Sequence, residues 1–167
     1  MNPQAIKLLD QIEALQKQLR AELAPKVPSG LKEIEAMFGK AGDERNIVLF
    51  DLPYPLFYNG TKVTRSRCHK LMVPIFKAVL SDIKAAGLEK YVQNYGGIYN
   101  HRPVTGGTKL STHSWGIAID VEPQKYPMGS TARIQAEVIA MFAKYGFLYG
   151  GDFPTPDPMH FQWAKDY

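Results

Sequence analysis

Residues Gly116 to Val121 set Gly116, Ala118 and Asp120 alternately against Ile117, Ile119 and Val121. A period of two sends the two sets to opposite sides of an extended strand. The chain must therefore build a sheet with one packed face and one face whose small residues leave room around a carboxylate. Other segments carry the helical period. Leu71, Ile75, Val79 and Ile83 stand four apart and predict a core helix over 71–86, with Pro74 setting its start near residue 73 or kinking it, and Gly87 ending it. Leu31, Ile34 and Phe38 predict a short helix closed by Gly39. Ile134, Val138, Met141, Phe142 and Tyr145 predict another, capped by Ser130 or Thr131 and closed by Gly146. Ile47–Leu52 reads as a buried strand, Leu56–Val63 as a hairpin about Asn59-Gly60, and Val92–Tyr95 as a strand followed by a turn at Gly96-Gly97. Tyr99–Thr112 reads as a polar loop, with Phe147–Tyr149 and His160–Trp163 as short closing strands. Helices and strands mix without βαβ regularity, which places the chain in the α+β class.

The N-terminal stretch has its own pattern. Leu8, Ile12, Leu15, Leu19 and Leu23 form one apolar stripe along a helix over residues 1–24, and Pro25, Pro28 and Gly30 make a linker after it. Docking of that stripe onto the main domain, residues 25–167, is favoured over a coiled coil. A coiled coil would span only about two to three heptads, so self-association through this helix is the lesser reading. Asp10 and Glu13 interrupt what a signal peptide would need as an apolar core, and no stretch is long enough to span a bilayer. The expectation is synthesis in the cytoplasm of a host cell without stable membrane insertion.

Composition narrows the function. Of 167 residues, 45% are hydrophobic, which supports a real core in one domain. The net charge of +4 comes without a Lys/Arg-rich run, so no nucleic-acid footprint is indicated, although a mild positive charge favours polyanions. Cys68 is the single cysteine, which excludes an intrachain disulfide and a cysteine-based zinc knuckle. It reads as structural in preference to a nucleophile.

Metal-capable residues concentrate in two patches, Ser-Thr-His113-Ser-Trp-Gly-Ile-Ala-Ile-Asp120 and Asp157-Pro-Met-His160-Phe-Gln-Trp. Two histidines and a carboxylate are a standard donor set for catalytic zinc, which keeps a fourth position for water. Spacing alone leaves the blander reading standing: hydrogen-bonded histidines, and aspartates that serve turns beside Pro123 and between Pro156 and Pro158.

The ordered pattern Ser111-x-His113-x-x-Gly116-x-Ala118-x-Asp120, followed by Gly150-Gly151-Asp152-Phe153 and Asp157-x-x-His160-Phe161, resembles the D-alanyl-D-alanine carboxypeptidase family. That family includes phage endolysins cutting the L-alanyl-D-glutamate bond and is distantly related to the hedgehog signalling domain. The resemblance covers roughly residues 27–165. It implies a small, mainly antiparallel sheet flanked by helices, with a zinc site in a cleft on the sheet. It implies that His113, Asp120 and His160 bind Zn2+, that Asp157 is the general base, that Arg102 steadies the substrate carbonyl and that Ser111 orients substrate. Two positions depart from the family pattern: Gln162 replaces an acid, and Phe153 stands where Trp is common. The implied activity is hydrolysis of a peptide bond in bacterial peptidoglycan, of the endolysin L-alanyl-D-glutamate endopeptidase kind, acting on the wall after release. The alternatives are a D-alanyl-D-alanine carboxypeptidase and a non-catalytic virion or wall-binding module that retains the fold.

Overall fold

The computed structural model describes residues 2–23 and 26–167, with the side chains of residues 13, 14 and 16–23 outside that description. Helix α1 spans Pro3–Leu23 and α2 Gly30–Phe38. Strands β1 (Ile47–Tyr58) and β2 (Thr61–His69) form one antiparallel hairpin. Helix α3 (Val73–Ala85) follows, then β3 (Tyr95–Gly97), β4 (Ala118–Val121), α4 (Ala136–Lys144), β5 (Leu148–Tyr149) and β6 (His160–Gln162). The last four strands make a sheet in the order β3-β4-β6-β5, with every pairing antiparallel. Among the described residues no helix is long and apolar enough to cross a membrane.

The hairpin turns at Asn59 (φ 47°) and Gly60 (φ 78°), the left-handed pair expected of this dipeptide. It is longer than the sequence pattern suggests. In β1, Phe50, Leu52, Tyr54 and Leu56 point inward while Leu49 and Phe57 face out, so the strand is half-buried, not fully buried. A register shift between Asp51 and Leu56 accommodates Pro53 and Pro55, which cannot donate to the ladder. A single bridge, Phe57 to Asn94, joins the hairpin to the start of β3.

Helix α3 packs on β1 and α4. Its buried face is Phe76, Val79, Leu80 and Ile83, while Leu71 is 51% exposed in the turn before the helix. A strict four-residue series drifts by about 40° per step around a helix of 3.6 residues per turn, which is why it misjudges the face. Phe50 stacks on Phe76, Phe76 meets Phe147 at a tilt, and the ring centroids of Phe142 and Phe161 are 4.1 Å apart, so the hairpin, both core helices and the sheet share one aromatic core.

Four expectations are corrected. Helix α4 begins at Ala136 and is not capped by Ser130 or Thr131; the Ser130 hydroxyl accepts from Ala132 N–H in a turn of its own. The strand expected at Val92–Tyr95 is β3, shifted onto Tyr95–Gly97: Gly97 pairs with Asp120 and Gly96 lies at a register irregularity within the strand, not in a turn. Gly116 lies outside β4, and all four residues of β4 are buried on both faces. Finally, Leu8, Ile12 and Leu15 of α1 are 56%, 45% and 65% exposed, so this part of the stripe is not docked; Leu19 and Leu23 fall outside the described side chains.

Candidate metal centre

Asp120 lies on β4, directly opposite His160 on β6, so register alone brings together residues far apart in sequence. On its other side β4 pairs with β3, where Gly97 faces Asp120. Gly96 approaches so closely that a β-carbon there would stand 2.7 Å from Asp120 Cβ, so only glycine fits. His113 arrives from a single 3-10 turn over Thr112–Trp115. Ser111 caps that turn, its hydroxyl accepting from His113 N–H at 3.3 Å, and Gly116 closes it at φ 67°.

The three side chains converge. His113 Nε2 lies 3.0 Å and His160 Nδ1 2.9 Å from the same Asp120 oxygen, and the two nitrogens are 3.2 Å apart. Each residue offers one donor atom within 4.8 Å of the others, and all three are buried. Outer partners fix which nitrogen faces the centre. His113 Nδ1–H donates to Ile98 O at 2.7 Å, leaving Nε2 inward. His160 Nε2–H donates to Gln162 Oε1 at 3.2 Å, leaving Nδ1 inward. An acceptor behind each imidazole is the usual arrangement of metal-binding histidines. Gln162, a departure from the pattern read in the sequence, is thus the acceptor behind His160.

Electrostatics follow the geometry. Burial opposes ionisation of Asp120, yet the charge and hydrogen bonds of His113 and His160 outweigh it and hold the carboxyl well below its usual range. Burial likewise disfavours charging His160, but the Asp120 hydrogen bond and charge raise its pKa. Asp157 sits in the loop before β6, where burial raises its pKa, with Asp120 adding to this and His160, His113 and Arg102 opposing it. Its Oδ1 is buried without a hydrogen-bond partner. Such an orphaned carboxylate oxygen beside a buried N/N/O donor set fits a site built to hold a divalent cation and its water.

Asp157 and His160 open onto a pocket that also takes in Arg102, Lys109, Ser111 and Tyr167, while Met128, Phe153 and Met159 supply apolar wall. Arg102 is pinned to the His113 turn through its backbone: its N–H donates to Ser114 Oγ at 3.1 Å and its carbonyl accepts from Ser111 N–H at 3.0 Å. Among the described residues its guanidinium donates to the neighbouring Pro103 carbonyl at 3.1 Å. Every residue expected at the site therefore lies at the donor cluster or along this pocket. Sequence reasoning missed Ile98, Thr112 and Tyr167. Ile98 acts through a carbonyl that every residue type shares, whereas Thr112 and Tyr167 had a visible signal in their polar side chains beside His113 and at the chain end.

An α+β domain with a buried His/Asp/His centre at the middle of its sheet is the class these observations define. Residues 105–163 match the model of a family described as D-alanyl-D-alanine carboxypeptidase, so the resemblance read from the ligand pattern is shown over the segment that holds all three donors and Asp157. No curated protein and no solved structure gives a match.

Proposed function

We propose that the chain is a zinc-dependent peptidase that hydrolyses a peptide bond in the stem peptides of bacterial peptidoglycan, in the manner of an endolysin L-alanyl-D-glutamate endopeptidase. The observation that carries this reading is the convergence of His113, Asp120 and His160, with the unpartnered Asp157 oxygen beside them. When bound, zinc supplies Lewis-acid polarisation and lowers the pKa of a coordinated water. Asp157 accepts the proton of the attacking water, a task suited to a carboxylate whose pKa burial has raised. Arg102 faces the charge that develops on the scissile carbonyl oxygen. Ser111 orients the peptide, and the proton held on Asp157 passes to the departing amine as the C–N bond breaks. The working unit is residues 25–167, with α1 an appendage.

A second reading, removal of a terminal D-alanine, is favoured by the description of the matched family. Mass spectrometry of peptidoglycan fragments after incubation with the pure protein separates the two. New L-alanine C-termini together with new D-glutamate N-termini support the endopeptidase. Release of free D-alanine supports the carboxypeptidase. Reducing sugar without new peptide termini would overturn both.

A further inference from the structure

We propose that Tyr167 is a positioning residue for the ligand His160, acting through the side-chain amide of Gln162. The inference rests on His160 being a metal ligand, as in the function proposed above, and adds a part of the chain that the ligand pattern does not reach. Gln162 is 4% exposed and every polar atom of its amide is engaged. Its Nε2 donates to Ala164 O at 3.0 Å and to Tyr167 O at 3.1 Å. Its Oε1 accepts from the Thr112 hydroxyl at 3.2 Å and from His160 Nε2–H at 3.2 Å. An amide has one acceptor end and one donor end. Two main-chain oxygens behind Gln162, those of Ala164 and Tyr167, hold the donor end away from the site, so the amide oxygen faces His160. If the amide turned over, its N–H would oppose the Nε2–H of His160, and the imidazole would lose the tautomer that points Nδ1 at Asp120 and the metal.

Tyr167 can hold its main-chain oxygen in place because its side chain is anchored three ways. The phenol O–H donates to Leu110 O at 2.9 Å, the ring meets Trp115 edge-on at 5.5 Å, and Lys109 Nζ lies 3.8 Å above it. Leu110 precedes Ser111, the cap of the His113 turn. One residue thus ties the wall of the pocket to the acceptor that orients a ligand. A glutamate in place of Gln162 would lack the donors for Ala164 O and Tyr167 O. The amide in this chain and the placement of Tyr167 form one device.

The test is a double-mutant cycle on zinc affinity, read by competition with a chromophoric chelator, with thermal melting of each metal-free variant measured alongside. Outer partners of ligating histidines are worth roughly 10–100-fold in metal affinity. Y167A is therefore expected to weaken zinc binding about 10-fold or more, Q162M at least as much, and the double variant no more than Q162M alone. Y167F, which loses only the bond to Leu110 O, should weaken binding less and in the same direction; it carries the test if Y167A does not fold. Zinc affinity unchanged in Y167A, or losses that add in the double variant, would overturn the inference. H113A distinguishes the failures: if it keeps wild-type affinity, the donor set itself is wrong, whereas loss of zinc in H113A with none in Y167A removes only the role of Tyr167.

Discussion

Asp157 is held by its surroundings in a state that a surface carboxylate would not adopt. It is half-buried, with one carboxylate oxygen fully enclosed, and its pKa is raised by desolvation, while the other acid of the same loop, Asp152, spends its charge on Arg133 at 2.7 Å. That contrast favours Asp157 over Asp152 as the base of the proposed reaction. Asp157→Asn keeps the shape and can still hydrogen-bond but cannot accept a proton at neutral pH. Zinc content and melting temperature should stay near wild type while turnover falls by roughly two to four orders of magnitude, the usual worth of general base catalysis. Near-normal turnover would transfer the role to another group, and lost zinc would make Asp157 a ligand. At this scale the sequence was informative where chemistry resides in residue type: His113, Asp120, His160 and Asp157 carry it in their side chains. It was silent where the partner is a main-chain atom, as with Ile98 O behind His113 or Tyr167 O behind Gln162.

Elements bring these side chains together only because certain glycines admit close approach. At Gly116 the backbone is left-handed, and an added β-carbon would lie 2.7 Å from His69 N at the end of β2. His69 N–H donates to Gly116 O at 3.1 Å, so the same contact joins the hairpin to the turn that carries His113. Gly116→Ala meets both the left-handed penalty and a backbone clash, and should cost about 2–4 kcal/mol of stability. Gly60→Ala in the hairpin turn has a similar φ of 78° with nothing within 4 Å, so it should cost only the conformational part, about 1–2 kcal/mol. Urea denaturation of the two variants measures the difference, and equal losses would show that the contact with His69 is not tight. The Asn59-Gly60 turn was legible because the dipeptide selects its own turn. Most of β2 was not, because it turns the small Ser66 and Cys68 inward and leaves Arg65 and Arg67 outside, with no large apolar residue between Val63 and Leu71 to mark a period of two.

For the molecule as a whole, the centre couples metal, protons and folding. In the metal-free protein the Asp120 pKa is depressed below its usual 3.8, so the stability this residue lends is present above that value and is lost as pH falls through the folded pKa. The pKa of His160 is raised above its usual 6.5, so its contribution is full below 6.5 and disappears as pH climbs through the folded value. Asp157, also raised, favours the fold below its usual 3.8 and loses that contribution as pH rises through its own folded value. Asp120 and His160 together therefore place the best stability of the metal-free protein between about pH 4 and 6.5, with a decline toward alkaline pH. A cation competes with the proton for His160 Nδ1, so loading becomes stronger as that proton leaves. At free zinc about a thousand times the dissociation constant the added stability is about 4 kcal/mol, roughly 8–16 °C in a domain of this size. The difference in melting temperature between zinc-loaded and chelator-treated protein should therefore be small near pH 5 and grow steadily toward pH 8. Calorimetry in buffers of different ionisation enthalpy should show protons released on zinc binding, fewer as pH rises. A melting difference that is flat across that range, with no proton released, would mean that the cation does not bind between His160 Nδ1 and Asp120.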